Sequence, residues 1–438
     1  MPSKKRKQIQ NLPSGFERVR TFQGVEEYVL KKNGLRVLYK QDSTSPVVGL
    51  MVTYLVGSRH EVTGTTGATH ILEHLLFKGS KKFPTKKGVS ALDVLSGKGA
   101  LVNASTYFDR TNYFEVLPRE HFDFAMQLEA DRMRNAIITE KDLEEELPAV
   151  LSEIAWNMNN PERFLENEVW GSAFLAHPYQ HLTLGWSSDV RNVTAQTLRE
   201  FYDTHYHPNN AVVSIVGDVE RNEALTKVKK YFGVHAPSPH SIPQPTTEEP
   251  EQTGRRSAEV KRIGTKNLVI MAFKAPEALH EDTPSLLALD ALIGGGDTSR
   301  LHRGLVEKQL ATEAWSEFIP FHDPSLIELF IVPVEGVSHE QIEEEVLKIC
   351  GDIVKKGVTK KELTQVKEQT LTSMAFARDG HYATLSVLNE AIAVGDWRFF
   401  YTLPKLFEKV TTQDLKAVAK KYIDRDKMTV GYYRAQKK

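Results

Sequence analysis

The stretch Thr69-His70-Ile71-Leu72-Glu73-His74-Leu75-Leu76-Phe77 sets two histidines and a glutamate, in the order His-x-x-Glu-His, inside an apolar run. As a helix it puts His70 and His74 one turn apart on one face, Cβ atoms about 5–6 Å from each other, close enough to share a metal ion. Glu73 falls on that face too. Ile71, Leu72, Leu75 and Leu76 supply the apolar stripe that presses such a helix into a core, so the polar trio lines a cavity wall. Zinc suits these donors, taking neutral imidazole at about 2.0–2.1 Å, and a catalytic zinc uses three protein ligands and leaves one position to water. The alternative is a pair of surface histidines with a glutamate between them, and a carboxylate on a later helix separates the two readings.

Outward from that helix, Gly57, Gly64 and Gly67 break the chain before it, and Gly79 and Pro84 follow closely, so the helix is short. Upstream, residues 34–39 and 46–54 alternate as strands across a turn-rich gap. Downstream, residues 100–107 and 111–117 read as paired strands around Asp109-Arg110. Helical periodicity runs from Phe122 to Ala136, from Thr139 to about Asn157 and from Val193 to Tyr206, and residues 211–217 form a buried strand. Ala236 to Gly254 then holds five prolines among Ser, Thr and Glu, the composition of a semi-extended linker.

Past the linker the first half recurs. Leu286 stands 216 residues after His70, Thr359 stands 220 after Thr139, and Val410 stands 217 after Val193, with similar text at each anchor. The chain is therefore read as two copies of one strand-and-helix domain, over residues 20–235 and 255–436, joined by a linker at 236–254. In the second copy Leu286, Leu289 and Asp290 replace His70, Glu73 and His74. The apolar register survives there and the ligands do not, so the metal belongs to the first half.

The third ligand is sought on the helix opened by Thr139. Glu153 sits among Val150, Leu151 and Ile154, where a carboxylate needs a partner, and its counterpart in the second copy is Ser373. Glu153 is the candidate zinc ligand. Glu144, Glu145 and Glu146 form an acidic run of the kind usually solvated, but Glu146 lies two turns before Glu153 and could orient a ligand or substrate. Pro148 between them removes a helix hydrogen bond and could disturb their phase. Glu73 is the candidate general base, taking a proton from water and passing it to the leaving amine.

Composition narrows the partners. With 56 Lys and Arg against 57 Asp and Glu, nothing favours nucleic acid, which calls for a basic surplus. The single cysteine, Cys350, excludes an intrachain disulfide framework and suits a core position. The basic start at Lys4–Lys7 is followed by no apolar run, and no segment reaches the roughly 20 apolar residues of a membrane span, so the expectation is a protein with no membrane partner, leaning cytoplasmic.

His-x-x-Glu-His is the inverted zincin motif. With a glutamate 79 residues after its second histidine, the chain resembles the pitrilysin family of zinc peptidases, which includes insulin-degrading enzyme and mitochondrial processing peptidase. Gly57-Ser58-Arg59, Phe77-Lys78-Gly79-Ser80, Asn103-Ala104-Ser105-Thr106, Tyr206-His207-Pro208-Asn209-Asn210 and the run from Gly294 to Leu301 carry the likeness across nearly the whole length. The resemblance implies an α+β fold of two duplicated strand-and-helix domains, each a mostly antiparallel sheet covered by helices. It implies Zn2+ on His70, His74 and Glu153, with Glu73 as base and Glu146 assisting. Asn103 and Ala104 match the edge strand on which the family lays a peptide substrate.

The expected activity is a zinc-dependent endopeptidase acting on peptides or unfolded segments in an enclosed chamber, closed by a homodimer or a heterodimer with a homologous subunit. A non-catalytic assembly subunit is the alternative. Arg378 and Tyr382 lie where paired members hold substrate, without a secure match. His205 and His207, before a Pro-Asn-Asn turn, are read as loop residues; Pro178 pushes His177 out of helical spacing with His181.

Overall fold

The computed structural model describes residues 12–86 and 88–437; the basic run at Lys4–Lys7 lies outside them. The first half contains strands β1 (Phe16–Phe22), β2 (Val25–Leu30), β3 (Leu35–Gln41), β4 (Val47–Tyr54), β5 (Leu101–Thr106), β6 (Thr111–Pro118) and β7 (Ala211–Gly217). Its helices are α1 (Ala68–Leu75), α2 (Ala91–Ser96), α3 (Phe122–Asn135), α4 (Glu140–Asn159), α5 (Pro161–Ala173), α6 (Ser187–Asn192), α7 (Ala195–His205) and α8 (Arg221–Tyr231). The second half contains β8 (Arg256–Ile263), β9 (Leu268–Ala275), β10 (Ala311–Phe318), β11 (Ser325–Pro333) and β12 (Thr429–Gln436). Its helices are α9 (Thr283–Gly294), α10 (His339–Lys356), α11 (Lys360–Phe376), α12 (His381–Ala393), α13 (Phe399–Lys409) and α14 (Thr412–Tyr422).

Two mostly antiparallel sheets result. The first runs β1-β2-β3-β7-β4-β6-β5 and the second β10-β11-β9-β12-β8. Read in one direction, β3-β7-β4-β6-β5 and β8-β12-β9-β11-β10 are the same five-strand plan, each with a single parallel pair, β3 with β7 and β8 with β12. The β1–β2 hairpin extends only the first sheet. The expected α+β fold of duplicated, mostly antiparallel units is what the chain adopts.

Two of the three anchors of the repeat fall at helix caps. Thr139 accepts a hydrogen bond from the amide of Asp142 and Thr359 one from Glu362, opening α4 and α11. Thr194 and Thr411 do the same for α7 and α14. A threonine oxygen at this position satisfies an amide left over by the first helical turn, typically worth about 1 kcal/mol, so it is retained at matching places. Interior strands of both sheets read as largely apolar runs, and every residue of β7 and of β11 is buried.

The halves are not packed as two separate units. Helix α5, from the first half, lies on β12, β8 and β9 of the second sheet, burying Leu165, Val169, Trp170 and Ala173 there. Helix α12, from the second half, lies on β4, β7 and β6 of the first, burying Leu385, Leu388 and Ile392. Each of those large side chains contributes on the order of 1.5–3 kcal/mol by leaving water. The exchange needs a glycine under each crossing helix. A Cβ on Gly49 of β4 would sit 2.6 Å from Leu385 Cδ1, and one on Gly431 of β12 would sit 2.5 Å from Val169 Cγ2.

Polar contacts repeat the reciprocity: Trp397 Nε1 donates to Glu27 at 2.8 Å and Trp170 Nε1 to Glu328 at 2.9 Å. Burial holds Glu328 well above the ordinary carboxylate range. Residues 236–255 carry no helix or strand.

Candidate metal centre

The residues His70, Glu73 and His74 are carried by α1, eight residues long. Its amino end starts at Gly67, φ +86°, where an added Cβ would meet the Leu184 carbonyl at 2.7 Å. Gly67 has no side chain to cap the helix, and the buried carboxylate of Glu61 does so instead, accepting from the amides of Gly67 at 2.8 Å and Thr69 at 2.7 Å. Ile71, Leu72 and Leu75 are fully buried beneath, which turns the histidines toward α4. Helix α4 runs unbroken through Pro148, so Glu146 and Glu153 both reach α1.

Four side chains converge. His70 Nε2 and His74 Nε2 are 3.3 Å apart, and Glu153 Oε2 lies 3.5 Å from the first and 3.7 Å from the second. One donor atom from each of the three lies within 4.8 Å of the others. His74 Nδ1 meets Glu146 Oε1 at 2.9 Å, and Lys78 Nζ holds the other oxygen of Glu146 at 2.6 Å. A neutral His74 that donates from Nδ1 to Glu146 leaves its Nε2 lone pair facing His70 and Glu153, the tautomer a metal ligand needs. Two imidazole nitrogens and a carboxylate aimed at one point, with the outer nitrogen of His74 already tied, fit a zinc ion well.

Without a cation the cluster shares protons. The hydrogen bond to Glu153 chiefly pushes His74 up to about 9, against burial and helped by Glu146. Burial, then the charge of His74, pushes His70 down to about 4. Glu153 is lowered by its hydrogen bond with His74. For Glu146, burial pulls upward, but the hydrogen bonds from Lys78 and His74 outweigh it and hold the carboxyl low. Glu73 stands apart: burial raises its pKa despite a 2.6 Å hydrogen bond donated by Thr106 Oγ1 to its Oε2.

Asn103 and Ala104 lie on β5, the last strand of the first sheet, which pairs with β6 alone among the described residues. Asn103 is exposed, and its Oδ1 accepts from the Ala104 amide at 2.9 Å. Two cavities flank the cluster beside this strand. One, about 570 Å3, is lined by Glu73, His74, Phe77, Lys78, Asn103 and Glu146. The other, about 420 Å3, is lined by residues including Thr106, Glu153, Trp156, Arg163, Glu166 and Trp186.

The other histidines considered from the sequence have structural partners. His205 ends α7, within the helix expected up to Tyr206, and is buried with its ring against His60, so it is not a loop residue. His207 is buried and binds the Asp203 carbonyl at 2.7 Å. His177 contacts Asp323 at 3.2 Å, and His181 contacts the Leu182 carbonyl at 3.2 Å. Arg378 donates to the Phe400 carbonyl and Tyr382 packs on Phe114. Sequence reading missed Thr106, Lys78 and Glu61. The first two carried a signal: Thr106 ends the edge strand, and Lys78 stands four residues after His74.

Comparison with known proteins follows the same division of the chain. Residues 36–185 match the family described as Insulinase (Peptidase family M16), and residues 192–370 match the one described as Peptidase M16 inactive domain. The chain is 30% identical over 407 residues to the zinc protease PqqE of Helicobacter pylori, covering 90% of each. It is 25% identical over 357 residues to the uncharacterized zinc protease YmxG of Bacillus subtilis, covering 81% of this chain and 85% of that one. The crystal structure of a protease from Helicobacter pylori superposes with a TM-score of 0.89 at 28% identity, over 94% of this chain and 99% of that one. The periplasmic protease PqqL of Escherichia coli shares the fold, with a TM-score of 0.78 at 18% identity, over 96% of this chain but 48% of PqqL.

Proposed function

Because the chain belongs to the insulinase (M16) family of peptidases, we propose that it is a zinc-dependent endopeptidase with His70, His74 and Glu153 as metal ligands and Glu73 as general base. The observation that carries this reading is the approach of those three donors to within 4.8 Å, with Glu73 on the same helix. A zinc ion held there supplies Lewis acidity, polarising the scissile carbonyl and lowering the pKa of water towards about 7.

The chain's own residues do the rest. Glu73 takes a proton from the attacking water and delivers it to the leaving nitrogen. Its raised pKa brings it nearer to neutral pH, where a group can both accept and return a proton. Thr106 holds one carboxylate oxygen of Glu73, leaving the other for the proton transfer. Glu146, steadied by Lys78, fixes the tautomer and ring orientation of His74.

The substrate backbone adds to the open side of β5 as a further strand along Asn103 and Ala104, and its side chains enter the two flanking cavities. Such pairing requires an extended segment, so the substrates are peptides or unfolded regions of proteins. A second chain, identical or homologous, closes the chamber over this face. Among the described residues no helix is long and apolar enough to cross a membrane.

The test is Glu73→Gln, assayed for zinc content and peptide cleavage together. Zinc retained with cleavage lost is the expected result, and full cleavage by the zinc-loaded variant overturns the mechanism. A purified wild-type protein that takes up no zinc stoichiometrically favours an assembly subunit instead. Light scattering, with and without a co-expressed homologue, reads out the pairing.

A further inference from the structure

A cavity of about 650 Å3 lies between the proline-rich segment at 245–252, the end of β9 and the end of α14, and shares no lining residue with the two cavities beside His70. Its size is that of a small-molecule site. Phe174, Pro245, Pro250, Pro276 and Pro324 give it largely apolar walls. Lys274, from β9, lines it as well. The Nζ of Lys274 is buried 3.2 Å from the centre of the Phe174 ring and makes no hydrogen bond. A buried ammonium with three unmatched N–H groups costs stability unless an acceptor reaches it.

The protein offers Lys274 little. Its nearest carboxylate oxygen, Glu249 Oε1, is 3.8 Å away. Glu249 already accepts from the amides of Leu175, Ala176 and His177 and pairs with Arg256 at 3.5 Å. Of the other charges on the walls, Lys427 pairs with Glu251 at 2.6 Å, Lys421 with Asp282 at 2.7 Å, and Asp323 with Arg59 and His177. Glu248 is exposed to solvent. Burial accordingly holds Lys274 down at about 7.

We propose that this cavity binds a small monocarboxylate with an aromatic or aliphatic body, its carboxylate on Lys274 and its body against Phe174 and the prolines. A carboxylate supplies the hydrogen-bond acceptor that Glu249, 3.8 Å away, does not. A dianion such as phosphate is disfavoured by Glu248 and Asp424 around the same space. An uncharged ligand would leave the Lys274 N–H groups without a charged hydrogen-bond acceptor. The apolar walls ask for a hydrocarbon body of the size the cavity admits.

The experiment is isothermal titration of the full-length chain with 3-phenylpropionate and with its neutral amide. The acid is expected to bind about ten- to a hundredfold tighter than the amide, the range of a charge-assisted hydrogen bond, and K274M is expected to lose that preference. The acid-to-amide ratio on the unmodified chain needs no variant to fold. Equal binding of acid and amide, no measurable binding of either at millimolar concentration, or undiminished acid binding by a folded K274M overturns the proposal. The outcome is independent of the metal centre, since none of these residues touches His70, His74 or Glu153.

Discussion

The two halves share one strand plan, yet only the first carries a cluster of metal-binding donors among the described residues. Where α1 presents His70, Glu73 and His74, α9 presents Leu286, Leu289 and Asp290, the two leucines fully buried. Asp290 keeps a carboxyl at the position of His74, but burial pushes it up to about 6 and its Oδ1 has no hydrogen-bond partner. Where α4 has Glu153, α11 has Ser373. The fold is kept by apolar spacing and helix caps, and the polar residues superimposed on that spacing can be exchanged without disturbing it. A scaffold and its chemistry are thus written at different positions of the same helices.

That contrast can be broken or sharpened, and the largest effect falls on turnover. Glu73→Gln should lower kcat for a quenched peptide about 10²–10⁴-fold, the usual contribution of a positioned proton-transfer group, with bound zinc unchanged. The reciprocal change in the second half should act on stability. Leu289→Glu buries a charge among apolar residues and should cost at least ~3 kcal/mol in urea unfolding, whereas Glu73→Leu should be close to neutral. If the two changes cost the same, the separation of scaffold from chemistry is wrong.

Smaller effects probe the support of the site and the exchange of helices. Glu146→Gln should weaken zinc about 10–100-fold in a competitive chelator assay while leaving the unfolding midpoint nearly fixed. Gly49→Ala and Gly431→Ala should each destabilise by about 1–3 kcal/mol, because each presses on a helix lent by the other half. A strong cost at one glycine and none at the other would mean that the two crossings are not equivalent.

The last effect is on pH. His74 of the metal-free protein, at about 9, is protonated at neutral pH and must lose that proton to bind zinc. Zinc affinity should therefore rise with pH up to about 9, with roughly one proton released per zinc at pH 7 in calorimetry across buffers of different ionisation enthalpy.

The stretch around His70 was readable because its helical spacing places donors and apolar residues on fixed faces whatever the surroundings. The cap at Thr139 was readable because capping is decided within four residues; the caps at Thr194, Thr359 and Thr411 came from the structure. The β1–β2 hairpin, with an exposed outer strand and little apolar alternation, left no comparable signal and was missed.

Sequence alone determined the duplicated α+β plan, the asymmetry of donor residues between its copies and the identity of the converging residues, since periodicity and capping are local. Only the tertiary structure decided that Glu146 and Lys78 support His74 and that Thr106 holds Glu73. It alone decided that α5 and α12 cross to the opposite sheets and that Lys274 is left facing a cavity. Those outcomes depend on which surfaces meet across separations of tens to hundreds of residues, and an apolar face states that it must be covered without stating by what.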